Sequence, residues 1–91
     1  MTTPAWTVTF DQDGVKDLRA LGATERQRVL AYLRGKIATP DDPRRFGKAL
    51  SGDLKGLWRY RIGDTRIIAN IQDQTVTVLV LRVAHRREVY G

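Results

Sequence analysis

Arginine dominates the side chains of this chain that could do chemistry. Twelve of its 16 basic residues are Arg, against 10 acidic ones, and the net charge is +6 over 91 residues. Two stretches concentrate the reactive types: Arg59-Tyr60-Arg61 with Arg66 close behind, and His85-Arg86-Arg87-Glu88-Val89-Tyr90. No Cys is present, so a thiol nucleophile, a disulfide scaffold and a Cys-based zinc site are excluded. The one His cannot build a multi-His metal centre. No carboxylate pair, Ser-His-Asp arrangement or glycine-rich phosphate loop offers itself. What remains is cationic stabilisation of a phosphorane-like transition state, with Tyr or His carrying the proton. Cleavage of RNA by its own 2′-hydroxyl suits that inventory, because the substrate supplies the nucleophile. Arg is a poor base, with a pKa above ~12. Tyr90, starting near ~10 and lowered by adjacent arginines, could take the 2′-hydroxyl proton while an Arg steadies the charge.

Those residues need a scaffold, and the length permits one domain spanning residues 1–91. A chain this short buries only roughly 60–65% of its unfolded surface and is marginal alone. No apolar run approaches the ~18 residues of a membrane span. The N-terminal residues lack a basic region followed by an apolar stretch, so a cytoplasmic location is expected. Trp6, Val8 and Phe10 alternate with Thr7 and Thr9 as a strand should. Asp11 or Asp13 can cap a helix running to Leu21, with Val15, Leu18 and Leu21 inward and Gly22 as its stop. A second helix starts at Thr24, where Val29, Leu30, Leu33 and Ile37 recur at the helical period, and ends before Pro40. An irregular stretch from Arg44 to Gly56 leads to three strands, about Leu57–Ile62, Thr65–Gln72 and Thr75–Val83. Their connections, Gly63-Asp64 and Asp73-Gln74, read as two-residue hairpin loops. The order gives an α+β domain: an N-terminal strand, a helical hairpin, then a three-stranded antiparallel meander completing a four-stranded sheet.

Two-residue loops would dictate the register. Tyr60 then faces Ile67, Arg61 faces Arg66, and Ile71 faces Val76. One face collects Trp58, Tyr60, Ile62, Ile67, Ala69, Ile71, Val76, Val78 and Val80, and the helices should cover it. The other collects Arg59, Arg61, Arg66, Asn70, Thr75 and Thr77 with Leu57, Ile68, Leu79 and Leu81. Like charges directly opposed are destabilising, so the Arg61–Arg66 pair marks a functional surface. The apolar strip Leu57, Ile68, Leu79 and Leu81 suggests a protein partner on the same face.

The run Gly56-Leu57-Trp58-Arg59-Tyr60-Arg61-Ile62-Gly63-Asp64-Thr65-Arg66-Ile67-Ile68, with the terminal His85-Arg86-Arg87-Glu88-Val89-Tyr90, resembles the RelE/ParE toxin superfamily. It is most similar to the RelE-type toxins of type II toxin–antitoxin pairs. The resemblance extends over nearly the whole chain and implies a RelE-like fold. It also implies a metal-independent, cofactor-free endoribonuclease that enters the ribosomal A site and cuts mRNA, leaving a 2′,3′-cyclic phosphate. Carried over by position, it makes Arg59, Arg61, Arg66, Arg86 and Tyr90 catalytic, with Arg87 the alternative to Arg86. Lys48, Lys55, Arg44, Arg45, His85 and Arg87 are the expected further contacts to RNA or ribosome. Leu57, Ile68, Leu79 and Leu81 would meet the cognate antitoxin. The alternative within the superfamily is a ParE-like, non-enzymatic inhibitor of DNA gyrase.

Overall fold

The structure, a computed structural model, describes residues 3–85. Strand β1 (Thr7–Phe10) leads into helices α1 (Gln12–Ala20) and α2 (Ala23–Tyr32). The second helix continues as a π turn over Leu33–Ile37, so the single helix expected from the sequence widens over its last residues. Short 3₁₀ turns at Pro43–Phe46 and Gly52–Leu54 flank β2 (Lys48–Ala49). Strands β3 (Trp58–Ile62), β4 (Thr65–Gln72) and β5 (Thr77–His85) form the meander. The sheet has five strands in the order β1-β5-β4-β3-β2, with β1 parallel to β5 and the other pairs antiparallel. The fifth strand is β2, whose two residues lie inside the stretch expected to be irregular. Too short to show an alternating pattern, it is held by pairing Lys48 with Arg59 and Ala49 with Trp58.

The helices cover one face, as expected. Leu21, Val29, Leu33 and Ile37 pack on Tyr60, Ile67, Ala69, Ile71, Val78, Val80 and Val83. Ile37 and Val29 are fully buried, and each stabilises the fold by about 1.5–3 kcal/mol. Arg26 sits on the partly buried side of α2 and donates to the carbonyls of Leu18, Arg19 and Leu21, satisfying the C-terminal end of α1. The Tyr60 hydroxyl donates to the Pro43 carbonyl at 2.7 Å inside the core. Tyr60→Phe should cost about 1–2 kcal/mol in urea unfolding, because that carbonyl is left unpaired.

The first hairpin has the expected register, and Gly63 takes φ 58°, the left-handed value its two-residue loop requires. The second does not. Asp73-Gln74 lacks the Gly or Asn that such a loop favours, and the chain instead turns over four residues. A 3₁₀ turn at Asp73–Thr75 is closed by Val76 at φ 48°. The pairing moves by two, so Ile71 faces Val78 rather than Val76, and Gln72 faces Thr77. Thr75 and Val76 leave the sheet faces for the turn. A shift of two keeps inward residues inward, which is why the core survives the correction.

A bulge then changes the parity of β5. Val80 pairs with Ala69 while Arg82 pairs with Ile68, leaving Leu81 as the extra residue. Val83 therefore turns into the core at 0% exposure, opposite Ile67. Strict alternation from Val80 would have placed Arg82 there. Beyond Phe10 the open side of β5 is covered by α1 instead of by β1. Gly14 lies against the Val80 backbone, and Asp17 accepts the Val83 N–H at 2.9 Å and the Arg82 Nε at 2.8 Å. Burial alone would raise the Asp17 carboxyl. The hydrogen bonds from Arg82 and the Val83 N–H, with the Arg82 charge, outweigh burial and hold it below its usual value. A carboxyl depressed by folding stabilises fully above its unfolded pKa of ~3.9, and that stabilisation is lost as pH falls through the folded value. Asp17→Asn should thus lower the melting temperature at neutral pH, with the gap to the parent closing as pH is taken from ~4 towards ~2.

Candidate nucleic-acid interface

The face of the sheet away from the helices carries the basic surface. The register writes it as two rows. In the first, Lys48, Arg59, Ile68 and Arg82 lie side by side across β2, β3, β4 and β5. In the second, Arg61, Arg66 and Ala84 are neighbours. Directly opposed side chains stand about 4.5–5.5 Å apart at Cβ, so the guanidinium groups of Arg61 and Arg66 share one patch. Among the described residues no carboxylate comes within ion-pair distance of Lys48, Arg59, Arg61 or Arg66. Arg61 and Arg66 are exposed and Arg59 is half-buried. A set of unneutralised guanidiniums on a flat, open face is a surface for a polyanion, and their planar forks suit phosphate oxygens.

Elsewhere several acids are engaged with arginines. Arg44 forks onto Asp73 and also reaches Asp42 at 3.4 Å, which ties the loop after α2 to the β4–β5 turn. Its guanidinium stands 5.8 Å from the Trp58 ring, on the helix side of the sheet. The Asp73 hydrogen bond raises the Arg44 pKa, against a smaller opposing effect of burial, and the Arg44 hydrogen bond in turn lowers the Asp73 carboxyl. Arg45 pairs with Asp41 at 3.2 Å and lies 4.5 Å from the Phe46 ring. Arg44 and Arg45, expected as RNA contacts, are thus brought together with acids on the other side of the molecule. Lys55 is exposed in the loop before β3, off both rows. Lys48 does join the arginines, through its pairing with Arg59.

His85 ends β5 opposite Thr65, which is fully buried on the helix side. Its register therefore gives it the face of Thr65 rather than that of Arg61 and Arg66. Arg86, Arg87 and Tyr90 lie outside the described residues. Tyr60 is not a proton carrier: burial first, then Tyr32 and Asp42, push its hydroxyl up to about 12. The two rows accordingly offer charge stabilisation and hold no His, Tyr or carboxylate. Leu57, Ile68, Leu79 and Leu81, the expected protein-binding strip, are all partly exposed, and Ile68 lies between Arg59 and Arg82.

Arg82 and Asp17 were not among the residues singled out from the sequence. The signal for Arg82 is an Arg at a position that uninterrupted alternation sends into the core, which calls for a bulge. Nothing in the spacing of Asp17 points to β5, since their contact joins residues 65 apart in the chain.

The chain matches the family model for the ParE toxin of the type II toxin–antitoxin system parDE over residues 8–90. It belongs to that family and is a toxin of the RelE/ParE superfamily of type II toxin–antitoxin systems. Toxin RelG of Mycobacterium tuberculosis is 33% identical over 85 residues, covering 93% of this chain and 95% of RelG. Among solved structures, the crystal structure of the toxin–antitoxin complex RelBE2 from the same organism superposes with a TM-score of 0.85 at 31% identity, covering 96% of this chain and 98% of the other. The isolated E. coli RelE toxin shares the fold with a TM-score of 0.71 at 21% identity, over 93% and 88% of the two chains.

Proposed function

We propose that this toxin is a ribosome-dependent endoribonuclease that cuts mRNA in the A site of cytoplasmic ribosomes and is neutralised by a cognate antitoxin. The observation that carries this reading is the patch of Arg59, Arg61 and Arg66, unneutralised by any acid among the described residues. In the proposed step the 2′-oxygen attacks the adjacent phosphorus and the 5′-oxygen leaves, so a 2′,3′-cyclic phosphate forms. The arginines hold the phosphate and the charge that grows on its oxygens. Tyr90, as its phenolate, takes the 2′-proton, and Arg86 steadies the charge on the departing 5′-oxygen, which takes its proton from water. Free RNA should be cut poorly, because alignment of the 2′-hydroxyl is left to the ribosome.

Primer extension on translating ribosomes tests this. Cuts at codon-defined positions that vanish on substitution of the arginines are expected. Gyrase-linked DNA breaks with intact mRNA would overturn it in favour of the ParE-like reading that the family description invites.

An antitoxin laid over Leu57, Ile68, Leu79 and Leu81 would bury the strip and cover the arginines together. The RelBE2 relative is itself a toxin–antitoxin complex, which supports a partner of that kind. Leu79 pairs with Asn70, two positions along β4 from Ile68 and away from the Arg61–Arg66 pair. Leu79→Asp should weaken antitoxin binding by about tenfold or more while leaving cleavage by the free toxin intact, as titration calorimetry beside the cleavage assay would measure.

A further inference from the structure

Of the aromatic side chains among the described residues, Phe46 alone stands outside the core cluster. It is 40% exposed, at the end of the 3₁₀ turn that precedes β2. Its ring is the outermost of three that rise from core to surface. Fully buried Tyr60 lies 6.2 Å from Tyr32, and Tyr32 lies 6.4 Å from Phe46 at an interplanar angle of 67°. That T-shaped contact sets the tilt of the Phe46 ring before any partner arrives. Two cations stand over the ring, the Lys36 ammonium 5.0 Å and the Arg45 guanidinium 4.5 Å from its centroid. Arg45 is also paired with Asp41. No carboxylate among the described residues lies within ion-pair distance of Lys36 or of Arg34, both exposed. The exposed residues at this ring are charged, so it does not extend into the apolar patch that a protein partner would bury. A fixed π-face edged by cations suits a nucleic-acid base and its phosphate.

The chain joins this ring to the arginine face. Gly47 follows, so close on the sheet that a Cβ there would meet Tyr60 Cε1 at 3.2 Å and Trp58 Cε3 at 3.3 Å. Lys48 comes next, on the edge strand β2, and opens the first basic row beside Arg59. Two residues of chain span at most ~7 Å. A single strand leaving that row at Lys48 therefore meets Phe46 just round the sheet edge.

We propose that Phe46 is a base-stacking subsite for the RNA substrate: it takes one mRNA base beyond the sheet edge, and Lys36 moves from the ring to the adjoining phosphate. This rests on the nuclease reading and gives it a substrate contact away from the reacting phosphate. Every base has a π-face, so the subsite accepts all four and adds grip without codon preference. Stacking is the same before and during the reaction, so its loss falls on affinity and spares the chemical step.

The test is single-turnover cleavage on ribosomes programmed with intact mRNA, or with mRNAs abasic at one nucleotide flanking the cut. Phe46→Leu keeps apolar packing on Tyr32 but has no π-face, and its melting temperature is checked against the parent's. It should raise the half-saturating toxin concentration about tenfold, with the rate at saturation changed less than about twofold. Phe46→Trp should bind as well as the parent or better. On the mRNA abasic at the stacked nucleotide, parent and Phe46→Leu should have the same half-saturating concentration. The proposal is overturned if Phe46→Leu matches the parent on intact mRNA. An equal deficit on every abasic mRNA would also overturn it, since the ring would then touch ribosomal RNA or only shape the loop. So would weakened antitoxin binding with unchanged cleavage, which would make the ring a protein contact. Should the parent leave mRNA intact, the nuclease reading fails on its own. Fluorescence anisotropy with a short labelled single-stranded RNA still reads the subsite. Phe46→Leu should bind that RNA several-fold more weakly and bind its abasic counterpart as the parent does, whereas equal binding of the intact RNA by both proteins would sink the subsite.

Discussion

Arg61→Ala is expected to slow codon-positioned mRNA cleavage by about 10²-fold or more while leaving the melting temperature unchanged or slightly higher. The first half follows from the position of the side chain. Arg61 is exposed, lies directly opposite Arg66, and has no carboxylate partner among the described residues, so its charge is available to a phosphate. Removing one preorganised donor from a site of growing negative charge carries a penalty of that order. The second half follows from the same geometry. Two guanidiniums face each other across a β ladder, and relieving that repulsion returns about 0.2–1 kcal/mol. Arg66→Ala should behave alike, with a several-fold or greater loss of cleavage. Arg61→Lys keeps the charge without the planar fork and should fall between parent and alanine variant. Primer extension and thermal unfolding on the same preparations measure both halves. A large drop in melting temperature would show that these guanidiniums hold the sheet together, and the functional reading of the opposed pair would fall.

Gly14→Ala should destabilise the protein by about 1–3 kcal/mol, although the same change in most helices stabilises. In an exposed helix interior, Ala is better than Gly by ~1 kcal/mol. Here a Cβ on residue 14 would meet the Val80 carbonyl oxygen at 2.5 Å, its carbonyl carbon at 3.3 Å and the Leu81 oxygen at 3.5 Å. Those are backbone atoms of a strand that pairs with β4 and, as far as Val80, with β1, so they cannot swing aside as the end of a side chain can. α1 must lift from β5, and the Asp17 contacts to Arg82 and Val83 would loosen with it. For a domain of this size each kcal/mol moves the midpoint by roughly 4–8 °C, so differential scanning calorimetry resolves the effect. Gly35→Ala is the matched control: a Cβ there meets nothing within 4 Å, and its stability should equal the parent's or exceed it by up to about 1 kcal/mol. A Gly14→Ala protein as stable as the parent would mean that α1 does not rest on the β5 backbone.

Much of this was legible in the chain itself. Alternation over Trp58–Ile62 and Thr65–Gln72 with Gly63 between them dictated the first hairpin, and with it the Arg61–Arg66 opposition. Periodicity gave the stripe of Val29, Leu33 and Ile37 that covers the sheet. These are local properties, carried by side-chain period and turn chemistry, and need no distant partner. The register beyond Asp73 was not legible, because Asp73-Gln74 does not specify a loop length and the four-residue turn closes on a left-handed Val76. The strand at Lys48–Ala49 was hidden for a similar reason: two residues have no period, and only pairing with β3 makes them a strand.

By itself, then, the sequence determined the fold class, the helical cover and an arginine-bearing face, since each follows from spacing within a few residues. Tertiary structure alone decided that Lys48 joins that face and that Arg44 and Arg45 are tied to acids on the other side. It also decided that β5 changes parity at Leu81. That choice depends on a helix backbone passing within contact of Val80 and on a carboxylate reaching Val83 from 66 residues away. Contacts of that separation leave no periodic trace, because neither partner's neighbours in the chain are constrained by the meeting.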